Sequence, residues 1–127
     1  MIALETILEE LADRLPGFYS SAVVSIQDGL TVAEVNRHLE VSVGTASAYL
    51  ASIVQSNIKA IKVLGWNEPV DDILITTSKN YFLIRHIQKQ PYFHFVMTAR
   101  NAWLGKTRLL MKEAGDKIFS ALTKSGI

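Results

Sequence analysis

Residues 43–64 read VGTASAYLASIVQSNIKAIKVL. Ala46, Leu50, Ile53, Ile61 and Leu64 recur at helical spacing, which predicts one long helix with these residues turned to a core. Its other side carries Gly44, Ala48, Ala51, Gln55, Lys59 and Lys62. A surface helix ordinarily shows long charged side chains there, and this one has almost none over its first turns. Small residues in a row let a second backbone come close. This face is therefore expected to meet a partner, with Ala48, Ala51, Ser52, Gln55, Lys59 and Lys62 as contact residues. The alternative is a helix buried on both sides within its own fold.

Strands are expected on both sides of this helix. Before it, residues 18–26 are rich in β-formers (Val23, Val24, Ile26) and residues 30–35 return after Asp28-Gly29, a strong hairpin turn because Gly tolerates positive φ. Ser42 is placed to cap the helix start and Gly65 its end. After it, residues 72–77, 81–87 and 92–99 read as three strands, linked by turns at Lys79-Asn80 and Lys89-Gln90-Pro91. The runs ILI, YFLI and FHFVM are apolar on nearly every residue, as in strands covered on both faces. An amphipathic helix over residues 2–14 opens the chain, with Leu4, Ile7, Leu8 and Leu11 as its apolar stripe, and Pro16-Gly17 stops it. A last helix is expected from an Asn101 cap to about Lys124, burying Leu104, Thr107, Met111, Ala114, Ile118 and Ala121. Gly105 and Gly115 weaken a helix, and close approach to the sheet is their expected use. The fold class is α/β (α+β): helix, two strands, helix, three strands, helix. A five-stranded, mainly antiparallel sheet has helices on both faces, in a single domain spanning residues 1–127.

The composition sets limits. The 127 residues are 49% hydrophobic and 20% charged, which suits one globular domain and excludes a disordered chain. With no Cys there are no disulfides, thiolate metal sites or Cys nucleophile, and a cytoplasmic location fits. The first residues lack a basic start, so no signal peptide is expected, and the longest uncharged run is too polar for a membrane span. Residues 1–72 carry 4 basic and 10 acidic side chains, and residues 73–127 carry 9 and 2. Neither part has a run of like charge, so pairing of acidic and basic elements inside the fold is the expected consequence. Nucleic acid is not an expected partner, because no Lys/Arg cluster or aromatic RNA-binding pattern occurs.

No constellation for catalysis emerges. Gly105-Lys106-Thr107 has the end of a phosphate-binding loop, but Arg100 stands where that loop needs Gly. His86 and His94 are expected on neighbouring strands, yet a metal site needs further ligands, and no carboxylate occurs between Asp72 and Glu113. Asp71-Asp72 reads as a solvated strand start. No enzyme activity, cofactor or metal is expected.

The element order, together with Leu15-Pro16-Gly17, Asp28-Gly29-Leu30, Tyr81-Phe82-Leu83-Ile84-Arg85 and the closing Asn101-Ala102-Trp103-Leu104-Gly105-Lys106-Thr107-Arg108, resembles the roadblock/dynein light-chain family over about residues 3–120. The chain departs from the family's pattern at the connector Arg37-His38-Leu39-Glu40 and in the hydroxyl-rich start of the central helix. The resemblance implies a dimer, homodimer or heterodimer, in which third strands pair edge to edge and the two central helices lie side by side. Asp72, Ile73, Leu74, Ile75, Thr76 and Thr77 would form that seam. Independently, a β-branched strand such as ILITT would otherwise leave an open edge. The resemblance further implies a non-enzymatic adaptor or regulator of Ras-like small GTPases, whether scaffold or GTPase-activating protein, with prokaryotic members binding the GTPase across the paired central helices. A second class stays open: a small-ligand sensor of PAS/GAF-like or profilin-like architecture, which would hold a closed cavity lined by residues such as Trp66, Tyr92 or Trp103.

Overall fold

The computed structural model describes residues 2–124, the side chain of residue 2 excepted. The elements run α1 (Ile2–Arg14), β1 (Phe18–Ser25), β2 (Thr31–Asn36), α2 (Val43–Val63), β3 (Ile73–Thr76), β4 (Asn80–His86), β5 (Tyr92–Ala99) and α3 (Leu104–Lys124). The strands form one sheet in the order β2-β1-β5-β4-β3, with every neighbouring pair antiparallel. The element order is the one the sequence implies.

Each face of the sheet carries its own core, because alternate side chains of a strand point to opposite faces. On one face α1 and α3 cover Val23, Ala33, Val35, Leu83 and Val96 with Leu4, Leu8, Leu11, Met111, Ile118 and Leu122. On the other, Val43, Leu50, Ala51 and Val54 of α2 pack on Ala22, Val24, Ile84, Phe93 and Phe95. The central strands β1 and β5 are buried on both faces, as the apolar run FHFVM of β5 implies, whereas ILI of β3, expected to be covered on both faces, lies at the sheet edge with Leu74 exposed.

Local chemistry fixes the joints. The Gly17 and Gly29 backbones sit at φ +84° and +71°, the left-handed region open to glycine. In the β1–β2 turn the Asp28 carboxylate accepts from the Leu30 amide at 3.0 Å. That bond, then one from the Ser25 hydroxyl, holds the Asp28 carboxyl below its ordinary pKa. The Ser42 side chain caps α2 by accepting from the Thr45 amide, and Gly65 follows the helix end at φ +73°.

Charge pairing joins the acidic and basic parts of the chain. Lys117 meets Glu10 at 3.5 Å, and Arg108 and Arg85 lie 3.0 and 3.8 Å from Asp72. Asp72 is therefore not the solvated strand start the sequence suggests. Its side chain is 15% exposed, with a guanidinium donating to it from α3.

α3 departs from expectation in three respects. It begins at Leu104, where the Trp103 carbonyl accepts from both the amide and the hydroxyl of Thr107. Asn101 lies in the preceding turn, next to Gly17, and does not cap the helix. Leu110 and Leu122 are buried where Leu104 and Ala121 were expected, since the core stripe lies a fraction of a turn from the one the spacing suggests. Finally, a Cβ built on Gly105 or Gly115 would meet nothing within 4 Å, so neither glycine serves a close approach.

Candidate interaction surface

The sequence expectation for α2 turns largely on which face is buried. Val43, Ser47, Leu50, Ala51 and Val54 are the buried residues. Ser47 holds its place in this stripe because Thr31 donates a hydrogen bond to its hydroxyl at 3.0 Å. Ile53 and Leu64, expected in the core, are instead 38% and 58% exposed.

The small-residue row of α2 does receive a second backbone, and that backbone is the chain's own. A Cβ on Gly29 would stand 3.0 Å from the Ala48 Cα and 3.4 Å from the Ala51 Cβ, so the β1–β2 turn rests directly on these two alanines. The Gln55 side-chain amide then donates to the Ile26 carbonyl at 2.6 Å and to the Gln27 carbonyl at 3.3 Å, clamping the same hairpin. Ala51 is buried, which corrects its assignment to an exposed contact face. Among the expected partner-contact residues, Ser52, Lys59 and Lys62 stand exposed on α2 away from this hairpin contact.

A different ridge of α2 is apolar and unpacked. Tyr49, Ile53, Ala60 and Val63 are exposed and, with Ser56 between them, follow a 4-3-4-3 spacing, the period of a helix–helix seam. This signal was present in the sequence. It is masked there because two apolar stripes run side by side, one of them interrupted by Ser47.

The sheet next to this ridge is only partly covered. α2 packs over β1 and β2 and reaches Ile84 of β4, leaving the rest of this face of β4 and β3 only half-covered. There the cross-strand pairs Ile75–Phe82 and Ile73–Ile84 form an apolar floor, with Ile73, Ile75 and Phe82 half-buried. A cleft of about 480 Å³ lies between this floor, the second half of α2 (Val54, Ile58, Ile61) and the segment around Val70. Strand β3 itself is an edge, pairing with β4 alone among the described residues. It spans Ile73–Thr76 and carries no charge, whereas the opposite edge strand, β2, carries Glu34. Charge on an edge discourages pairing, so β3 is the edge open to a further strand. Of the expected seam residues, Ile73, Leu74, Ile75 and Thr76 form strand β3, while Asp72 is held by Arg108 and the Thr77 hydroxyl accepts from the Asn80 amide at 2.9 Å.

The other candidate sites resolve as follows. His86 pairs with Phe93 and His94 with Arg85, so the two histidines sit one position apart in register and point to opposite faces. Among the described residues no group of three or more His, Asp or Glu is placed to hold a metal ion. Gly105-Lys106-Thr107 lies within the first turn of α3, with the Thr107 hydroxyl bonded back to Trp103. Trp66 and Trp103 are 58% and 79% exposed and line no closed cavity with Tyr92, which packs against the α1/α3 core. Among the described residues no helix is long and apolar enough to cross a membrane.

Comparison with solved structures places the fold. MglB of Myxococcus xanthus superposes with a TM-score of 0.86 at 15% identity, covering 97% of this chain and 90% of that one. A Roadblock/LC7 domain from Streptomyces avermitilis gives 0.84 at 15% identity, covering 94% and 97%. The gliding protein MglB from Thermus thermophilus gives 0.80 at 15% identity, covering 94% and 87%. No protein-family model matches the sequence, and no curated protein matches it. At this level of identity the likeness establishes the fold.

Proposed function

We propose that this single-domain chain is a dimeric, non-enzymatic adaptor that binds, and regulates or scaffolds, a Ras-like small GTPase in the cytoplasm. One observation carries the reading. The exposed apolar ridge of α2, the half-buried sheet residues Ile73, Ile75 and Phe82, and the uncharged edge of β3 are apolar features that the chain's own fold leaves incompletely covered. Patches of this kind mark interaction sites on soluble proteins. A second copy fits it by symmetry: antiparallel pairing of two β3 strands extends the sheet, and the two α2 ridges meet over the joined floor. The match in fold to MglB and Roadblock/LC7 structures supports this arrangement.

The GTPase then docks on the paired helices through the exposed side of α2 that the second copy leaves open, with Ser52, Lys59 and Lys62 as its contacts. Affinity capture from native lysate, with and without a GTP analogue and read by mass spectrometry, tests this. A Ras-like GTPase recovered in a nucleotide-dependent manner, and lost with a Ser52→Arg/Lys59→Glu double variant, is the expected result. Recovery of the same proteins by the variant, with no GTPase among them, would overturn the assignment.

A further inference from the structure

One polar side chain of α2 stands where the subunit's own packing gives it nothing to bind. Ser47 and Gln55 both bond to the β1–β2 hairpin. Asn57 lies on the other side of the helix, toward β3, where it lines the cleft of about 480 Å³ with Val54, Ile58 and Ile61 of the helix and Ile73 and Ile84 of the sheet. It is half-buried, and among the described residues its side chain makes no hydrogen bond. A side-chain amide offers two donor hydrogens and an acceptor oxygen. A Leu at this position would bury more apolar surface, so the amide costs stability unless something answers it.

The neighbours of Asn57 show what can answer it. At about 100° per residue, Ile53, Asn57, Ala60 and Leu64 share one side of α2 in a 4-3-4 spacing. Ile53, Ala60 and Leu64 are exposed, so Asn57 interrupts an otherwise apolar, unpacked row. This row is the flank of the α2 ridge nearest the open edge of β3. A two-fold axis that pairs two β3 edges antiparallel inverts α2 as well. The inverted copy lays Ala60 opposite Ile53, small against large on both sides of the axis, and returns Asn57 to itself.

We propose that Asn57 selects the partner and fixes the register of the α2 seam: the side-chain amides of two copies hydrogen-bond to each other across the axis, which holds the helices antiparallel and makes the partner a second copy of this chain. The inference rests on the dimeric reading above and names its partner. A single Asn within an apolar helical seam specifies orientation and oligomeric state at some cost in stability. A different chain with an aliphatic residue at the facing position would leave the amide covered and unpaired, a penalty that selects against mixed pairs.

The chain has no Cys, so an introduced thiol is its only one. Under mild oxidation Asn57→Cys should cross-link into covalent dimers, since residues facing each other at the axis come within disulfide reach. Lys62→Cys, on the side of α2 that the second copy leaves open, should not. Selectivity is read by mixing equal amounts of the native chain and Asn57→Leu, one of them ¹⁵N-labelled, and weighing the dimers by native mass spectrometry. Random pairing gives about one half mixed dimers. An amide left unpaired should lower the mixed form about tenfold relative to the two matched forms. Matched circular dichroism spectra establish that the variants fold. A native chain that sediments as a dimer, with no cross-link through residue 57 or with random mixing, would overturn this inference and leave the dimeric reading standing. A native chain that sediments as a single subunit would overturn both.

Discussion

Lowering the pH should destabilise this fold through His94 by an amount the structure sets. Burial, and then the charge of Arg85, push its imidazole from the ordinary 6.5 down to about 3. The folded chain therefore keeps His94 neutral where the unfolded chain takes up a proton. The unfolded state binds more protons between pH 6.5 and pH 3, so stability falls as the pH falls through that window. The slope approaches ~1.4 kcal/mol per pH unit, and going from pH 7 to pH 5 removes about 2 kcal/mol through this one group. At an m-value of about 2 kcal/mol/M, the urea midpoint moves down by roughly 1 M. The assay is urea unfolding at fixed protein concentration and a series of pH values, for the native chain and for His94→Gln. Carboxylates contribute to both proteins, so the difference between the two slopes isolates His94. The variant is expected to start less stable at pH 7 and to lose less stability on acidification. Parallel slopes above pH 5 would refute the reasoning, because His94 would then titrate alike in both states.

Three further outcomes follow from packing. Gly29→Ala should cost about 2–4 kcal/mol in urea unfolding, since its φ of +71° strains an L residue and its new Cβ stands 3.0 Å from the Ala48 Cα. Ala51→Asp should lower stability by several kcal/mol, a buried carboxylate having no partner there, while Ser52→Asp one residue on should change it by less than about 0.5 kcal/mol; equal effects would contradict the assigned face of α2. Ile53→Asp, at an exposed ridge position, should leave the far-UV circular dichroism unchanged yet shift the chain to a single subunit in size-exclusion chromatography.

Element order was legible from sequence because punctuation and periodicity agree. Pro16-Gly17, Asp28-Gly29 and Ser42 each sit at a joint that the structure uses, with the glycine φ values and the cap bond to show for it. The β5 bounds, Tyr92–Ala99, coincide with those read from the apolar run FHFVM and its flanks. The rotation of α2 was not legible. Apolar residues occupy both Leu50 and Val54 on the core side and Tyr49, Ile53 and Val63 on the other, so periodicity alone permits either face. The deciding contacts are long-range: Gly29 against Ala48, and Gln55 to the Ile26 carbonyl. Likewise Asp72 looks like a surface acid until Arg108, 36 positions later, is brought to it by the fold. The small residues of α2 were rightly read as admitting a backbone. Whose backbone was a question that only the tertiary arrangement answers.

The proposed assembly makes one demand that can be met or refused directly. Sedimentation equilibrium of the native chain at micromolar concentration should return twice the 14.1 kDa subunit mass, because the open floor at Ile73, Ile75 and Phe82 and the bare edge of β3 then have their cover. A mass of 14.1 kDa across the whole concentration range would contradict the shared sheet, and with it the paired-helix platform on which the adaptor reading stands.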